Sequence, residues 1–171
     1  MHDLAEQDLV ERAANGCRQS FANLVEHYRD RLFRFLALRC ANREDAEDAV
    51  QEAFVAAWRY LPSYNARWRF STWLYRIGLR NLPKARPASE PLGDHEAPGT
   101  DALGAAEIDN LWRLAREHLS PDACAALWLR YGEDMSIRDT AQTLSRSVPW
   151  VKVSLLRSRR QLAAVADGAR S

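Results

Sequence analysis

Apolar residues recur at intervals of three and four along most of this chain. Phe21, Leu24, Val25, Tyr28, Leu32, Phe35 and Leu36 form one stripe, the mark of an amphipathic helix with one face on a core. Ala46, Ala49, Val50, Ala53, Phe54, Ala57, Trp58 and Leu61 form a second. Asn42 stands where an N-cap belongs, and Glu44 and Asp45 suit the positive start of a helix. Pro62 stops that helix. Ser63 to Arg69 reads as a loop. Ser71 or Thr72 is expected to cap a third helix, carrying Trp73, Leu74 and Ile77 and ending near Pro83.

The pattern breaks between residues 83 and 105. Pro83, Pro87, Pro91 and Pro98 fall there with Gly93, Gly99 and Gly104, and large apolar side chains nearly vanish. This composition predicts a flexible linker. At ~3.3 Å per residue it spans roughly 70 Å when extended, about 20 base pairs of duplex. Helical spacing then resumes with Ile108, Leu111, Trp112, Ala115 and Leu119. Ser120-Pro121-Asp122 is a start signal: Ser as N-cap, Pro first in the helix, Asp in its first turn. Cys124, Leu127, Trp128 and Tyr131 follow, and Gly132 is expected to close the helix. Ser136 and Asp139 resemble a capping box with Asp in place of Glu. Ile137, Ala141 and Leu144 mark a short helix. Ser147 can cap the next, with Pro149 in its first turn and Val151, Leu155, Ser158 and Leu162 on one face. The fold expected is all-α: two small helical domains, 1–82 and 106–166, joined by the linker 83–105.

Composition narrows the class. Hydrophobic residues make up 47% of the 171 positions, enough for packed cores. No apolar run approaches the ~20 residues of a membrane span, and the first residues lack the basic and apolar regions of a secretory signal. Cys17, Cys40 and Cys124 are odd in number, far apart and without a CxxC pair, which argues against a disulfide framework or a zinc site and for a reducing cytosol. His2, His27, His95 and His118 are scattered, and no Ser/His/Asp or Cys/His set is recognisable. The sequence thus points to no catalytic residue, no metal and no cofactor.

Net charge is only +1, which by itself speaks against a nucleic-acid protein. The signs are segregated, however. Glu44, Asp45, Glu47, Asp48 and Glu52 occur together with no base between them. Ala53 to Ser89 holds seven bases and no acid, and Arg146 to Arg160 holds five bases and no acid. Blocks of opposite sign point to two kinds of partner, one basic or metal-bearing and one a polyanion. Solvated helix faces are the plainer explanation of any single block. Calcium-type spacing does not accompany the carboxylates.

The last two helices are short and joined by Ser145-Arg146-Ser147, the geometry of a helix-turn-helix. The second carries Trp150, Lys152, Ser154, Arg157, Arg159 and Arg160. In this motif the first residues of the second helix meet base edges, and later arginines hold phosphates. Residues 120–162 resemble region 4 of extracytoplasmic-function sigma factors, a group of the sigma-70 family. Leu127 to Tyr131, Ser136, Ala141, Leu144, Ser147, Val151, Lys152, Leu155, Arg157 and Arg159 stand on that family's usual positions. Ser145 replaces its usual turn glycine, Arg146 replaces an apolar turn residue, and Pro149 and Trp150 are unusual in its recognition helix.

The stretch 45–54, DAEDAVQEAF, resembles region 2.2 of the same family, the helix that meets the polymerase clamp. The resemblance implies that Asp45, Asp48, Gln51 and Glu52 bind core RNA polymerase. Phe70 to Ile77, FSTWLYRI, resembles the junction of regions 2.3 and 2.4. The resemblance implies a surface for unpaired promoter bases made by Tyr64, Arg67, Trp68, Arg69, Arg76 and Arg80, since aromatics stack on bases and arginines follow the backbone. Phe70 and Trp73 are assigned to packing. Arg80 stands where the family often has Asn, with Asn81 one position later.

In region 4 the implied DNA contacts are Ser147, Trp150, Lys152, Ser154, Arg157 and Arg159. The function implied is that of a sigma factor, which binds core polymerase and directs promoter-specific initiation through −10 and −35 elements. Family habit adds an anti-sigma factor as a partner. The site of action implied is the cytoplasm, without membrane insertion. A helix-turn-helix regulator acting without polymerase, and a sigma-like protein with degenerate promoter recognition, are the alternatives.

Overall fold

The computed structural model describes residues 3–82 and 102–168, and among these the apolar stripes fold into eight α-helices and no strand. The chain divides into two compact units, Met1–Pro91 and Leu92–Ser171. The expected linker lies outside the described residues as far as Asp101. A helix already begins at Ala102, inside the stretch read as linker. Ala102, Leu103, Ala105 and Ala106 favour helix strongly enough to carry Gly104 with them.

Four helices build the first unit: α1 (Asp3–Ala14), α2 (Arg18–Ala37), α3 (Arg43–Tyr60) and α4 (Phe70–Arg80). The core joins Leu24, Tyr28, Leu32, Phe35 and Leu36 of α2 to Ala46, Ala49, Ala53 and Ala57 of α3 and to Leu74 and Tyr75 of α4. The Phe35 and Tyr75 rings meet edge to face at 4.8 Å. A Cβ on Gly78 would lie 3.2 Å from methyls of Leu32 and Leu36, so glycine here lets α4 approach α2. The first helix was not legible as an element in the apolar pattern. It buries Val10 and Ala13, and Glu6 accepts a hydrogen bond from the Tyr28 hydroxyl at 2.7 Å.

The start of α3 follows the sequence. Asn42 accepts the Asp45 backbone N–H at 2.8 Å, with Glu44 and Asp45 in the first turn. After Tyr60 one 3₁₀ turn, Leu61–Ser63, holds Pro62 and buries Leu61. The start of α4 differs from expectation. The helix begins at Phe70, Arg69 stands at the N-cap without a side-chain bond, and Ser71 and Thr72 are buried inside the first turn. Burial of Phe70 pulls the helix start back, so packing outweighs capping here.

The second unit contains α5 (Ala102–His118), α6 (Pro121–Leu127), α7 (Ile137–Leu144) and α8 (Val148–Gly168). Its core comprises Ala115, Cys124, Leu129, Met135, Ala141, Val151 and Leu155 with Leu162. The side chains of Ser120, Ser136 and Ser147 cap α6, α7 and α8 by accepting the N–H groups of Ala123 (3.3 Å), Asp139 (3.0 Å) and Trp150 (3.2 Å). Asp139 completes only half a capping box: its carboxylate accepts from the Ser136 hydroxyl at 2.8 Å.

Gly132 does not close α6 through a left-handed cap. The backbone widens after Leu127 into one π turn, Trp128–Gly132, and the left-handed residue is Asp134, at φ +51°. A Cβ on Gly132 would stand 3.3 Å from the Trp128 ring, so close approach rather than φ favours glycine there.

Between α7 and α8, Ser145 is left-handed (φ +53°, ψ +43°), and the Arg146 N–H closes back on the Ala141 carbonyl at 2.9 Å. This is the turn geometry that ordinarily selects glycine. A Cβ in that region costs about 1–2 kcal/mol, partly offset by glycine's greater freedom when unfolded. Ser145→Gly is therefore expected to stabilise this unit by about 0.5–1 kcal/mol. Denaturant titration of the variant checks it, and an unchanged or lower midpoint would refute it.

Candidate docking and nucleic-acid interfaces

On α3, successive residues turn by about 100°. Glu44, Asp48, Gln51, Glu52, Val55 and Arg59 therefore share one face, and all six are exposed. Ala46, Val50, Ala53 and Ala57 lie opposite, in the core. Three of the four expected docking residues, Asp48, Gln51 and Glu52, stand together at the centre of this face. Asp45 lies at its edge, half-buried, with its carboxylate accepting from the Asn42 amide at 3.2 Å. Part of its hydrogen-bonding capacity is thus spent on the helix cap.

Glu47 pairs with Arg43 at 2.6 Å, off this face. Val55 was not anticipated. It is 51% exposed amid the polar residues, and its signal in the sequence was an aliphatic residue off the apolar stripe. Trp58 borders the same face, 38% exposed, its ring 4.9 Å from that of Phe21. This face is therefore acidic along its first turns, with Val55, Trp58 and the basic Arg59 at its far end.

The loop before α4 is built on aromatic rings. Tyr64 packs against Phe70 (5.9 Å) and Trp73 (5.1 Å), and its hydroxyl donates to the Trp68 carbonyl. Burial pushes the Tyr64 hydroxyl up to about 12, with the Glu6 carboxylate adding to the shift. The ring thus braces the loop from within, while Tyr60, 54% exposed, presents its ring to solvent at the end of α3. Phe70 and Trp73 pack as expected, at 5.7 Å from each other.

Trp68 is half-buried, and Arg67 and Arg69 are exposed on the loop. The Arg67 backbone N–H is held by the Asn65 side chain at 3.0 Å. Arg76 and Arg80 lie one turn apart on one side of α4, Arg76 half-buried and Arg80 exposed. Tyr64 is thus engaged through both its ring and its hydroxyl; it is half-buried like Trp68 and Arg76, whereas Arg67, Arg69 and Arg80 are exposed.

The last helix divides its basic residues. Val151, Leu155, Ser158 and Leu162 face the core. Trp150, Val153 and Arg157 lie on the opposite side, with Ser154 half-buried at its margin. Lys152 and Arg159 fall on another flank. Arg159 there lines an apolar groove of about 640 Å³ with Leu111, Trp112, Tyr131, Leu156 and Arg160. Arg159 is thereby separated from Arg157 and Trp150. The Ser147 hydroxyl is occupied as the α8 cap.

Two of the four unusual residues of this motif, Arg146 and Trp150, contact each other. The Arg146 guanidinium lies 5.0 Å from the Trp150 ring centre and pairs with Asp122 of α6. Sequence spacing gave no signal for that contact, because Asp122 is 24 positions away.

All three cysteines are free thiols. Cys124 is buried and its thiol donates to the Ala115 carbonyl at 3.1 Å. Burial pushes Cys40 and Cys124 up to about 11, whereas hydrogen bonding by Ser20 lowers Cys17. Among the described residues no group of three or more His, Cys, Asp or Glu is placed to hold a metal ion. No described helix is long and apolar enough to cross a membrane.

A helical unit with an acidic face and an aromatic-basic loop, followed by a helix-turn-helix unit, defines a transcription factor that works with a protein partner on DNA. Residues 24–82 match the Sigma-70 region 2 family and residues 110–162 match Sigma-70 region 4. The chain is 30% identical to the ECF RNA polymerase sigma-E factor of Escherichia coli K12, over 91% of each chain. It is 28% identical to the sigma-E factor of Haemophilus influenzae, over 93% of this chain and 94% of the other. The solved structure of CnrH in complex with the cytosolic domain of CnrY covers 96% of this chain and 98% of CnrH's, at TM-score 0.68 and 27% identity. This chain belongs to the ECF RNA polymerase sigma factors, the extracytoplasmic-function group of the sigma-70 family. It is a transcription initiation factor for promoter-directed RNA polymerase.

Proposed function

We propose that the two units divide the work of a sigma factor at named residues. Residues 1–82 dock on core polymerase through the α3 face of Asp48, Gln51, Glu52 and Val55, with Asp45 at the edge. The same unit engages the melted −10 strand with Arg67, Trp68, Arg69, Arg76 and Arg80, around a loop that Tyr64 shapes. Residues 106–166 grip the −35 duplex with Trp150, Lys152, Ser154 and Arg157, assisted by Arg159 on the flank and by Ser147 as the helix cap. The segment 83–105 joins them. The protein acts in the cytoplasm, without catalysis of its own, and is held in check by an anti-sigma factor. CnrH, a structural relative, is itself seen bound to a second protein.

The observation that carries this reading is the arrangement of α3: its acids turn outward together while the alanines opposite face the core. A face so charged is complementary to a basic partner and unsuited to DNA. The test is in vitro transcription with purified core polymerase on a promoter library. The reading requires initiation that depends on both proteins. Tight, specific duplex binding by the chain alone would favour the polymerase-independent regulator instead.

Arg157→Ala gives a narrower test. Arg157 is exposed on the outward side of α8. Loss of one phosphate contact is expected to weaken binding of the polymerase-bound factor across all −35 sequences and to reduce the salt slope by about one. An unchanged slope removes Arg157 from the phosphate contacts.

A further inference from the structure

The outward side of the first turns of α8 is apolar where a DNA-reading helix commonly carries hydrogen-bonding groups. Val153 is 45% exposed, Pro149 is exposed, and Trp150 is half-buried with the Arg146 guanidinium against its ring. None of these serves the core, which Val151 and Leu155 already fill from the other side. Lys152, Arg157 and Arg160 are exposed around this patch, so the surroundings favour a polyanion and the centre favours an apolar group. Arg146 is itself anchored to Asp122, which fixes the indole from one side at the entry to the helix.

The floor of the DNA major groove presents donors and acceptors on every base pair, and one apolar group: the C5-methyl of thymine. A valine side chain has no donor or acceptor at all, and an indole has a single N–H donor. We propose that Trp150 and Val153 are specificity-determining residues that read thymine methyl groups in the −35 element. Arg146 and Asp122 act as positioning residues for Trp150. The inference rests on the reading of α8 as the duplex-facing helix. It adds the class of base selected at the first turns of that helix.

The experiment uses the full chain assembled with core polymerase. Duplexes carrying a randomised −35 segment are selected for binding, and each thymine in the selected sequence is then replaced by deoxyuridine, which lacks only the methyl. One or two replacements are expected to weaken binding about threefold to fivefold, the worth of one apolar carbon removed from water. The other replacements leave binding unchanged. With Val153→Ala, the thymine–deoxyuridine difference disappears at one position. With Trp150→Ala or Asp122→Asn, it shrinks at the neighbouring one, while the salt slope holds.

Val153→Ala trims an exposed side chain, so it leaves the fold in place. Selected −35 sequences without thymine, or deoxyuridine tolerated at every position by the unaltered protein, overturn the proposal while duplex recognition stands. Failure to select any −35 sequence overturns the underlying assignment of α8 as well.

Discussion

Asp48→Lys combined with Glu52→Lys is expected to abolish assembly with core RNA polymerase while leaving the helical content of the chain unchanged. Both side chains are exposed at the centre of the α3 outward face, away from the packed alanines. Reversal therefore strains no buried contact, and surface changes of this kind usually shift stability by no more than about 0.5 kcal/mol. Binding responds differently. Loss of one partner in a desolvated charge pair costs about 2–5 kcal/mol, and reversal adds repulsion. Two reversals are expected to raise the dissociation constant at least 100-fold, since about 1.4 kcal/mol is tenfold. Circular dichroism and a competition assay for core polymerase measure the two halves of this expectation. A double variant that still competes normally would remove α3 from the interface. A variant that loses its helices would show instead that the carboxylates serve the fold.

The largest effect on stability is expected at Phe35. Its side chain is fully buried between α2 and α4, in edge-to-face contact with Tyr75. Phe35→Ala removes the ring, leaves a cavity in the core, and costs about 3–5 kcal/mol. Domains of this size are stable by only about 5–15 kcal/mol. The first unit should consequently unfold at much lower denaturant concentration, and polymerase binding should be lost with it. Denaturant unfolding followed by helical signal checks this, and a shift below about 1 kcal/mol would mean that the site collapses around the gap. Set beside the charge reversal, Phe35→Ala separates two routes to the same loss of function. One removes a surface and keeps the fold, and the other removes the fold that presents the surface.

Much of this architecture was legible because local rules govern it. The stripes of α2 and α3 announce their buried faces, since 3.6 residues per turn fixes which positions share a side. Asn42, Ser120, Ser136 and Ser147 cap the helices they precede, because the bond involves backbone only three residues ahead. The segregation of charge along the chain carried over to segregated faces for the same reason. The family could also be named from motif order, and the matched regions agree with it.

Other features lay beyond any local rule. Ser71 and Thr72 looked like caps, yet Phe70 is buried and draws the helix start back over both. Tyr64 looked free in a loop, yet two rings of α4 pack against it and the Trp68 carbonyl takes its hydroxyl. The first helix carried too short a stripe to be read by itself and is fixed by what it packs against.

The sequence by itself determined an all-helical protein in two parts, with an acidic helix in the first and a basic helix-turn-helix in the second. Only the tertiary structure decided that Asp45 is drawn towards the helix cap, that Val55 stands exposed among the acids of α3, and that Arg159 borders a groove apart from Arg157. It also joined Arg146 to Asp122 and Trp150 across the turn. The physical reason is range. Periodicity and capping act within a turn or two of helix, whereas burial, ion pairs and ring contacts join residues far apart in the chain, and those contacts decide which exposed side chain remains free to meet DNA or polymerase.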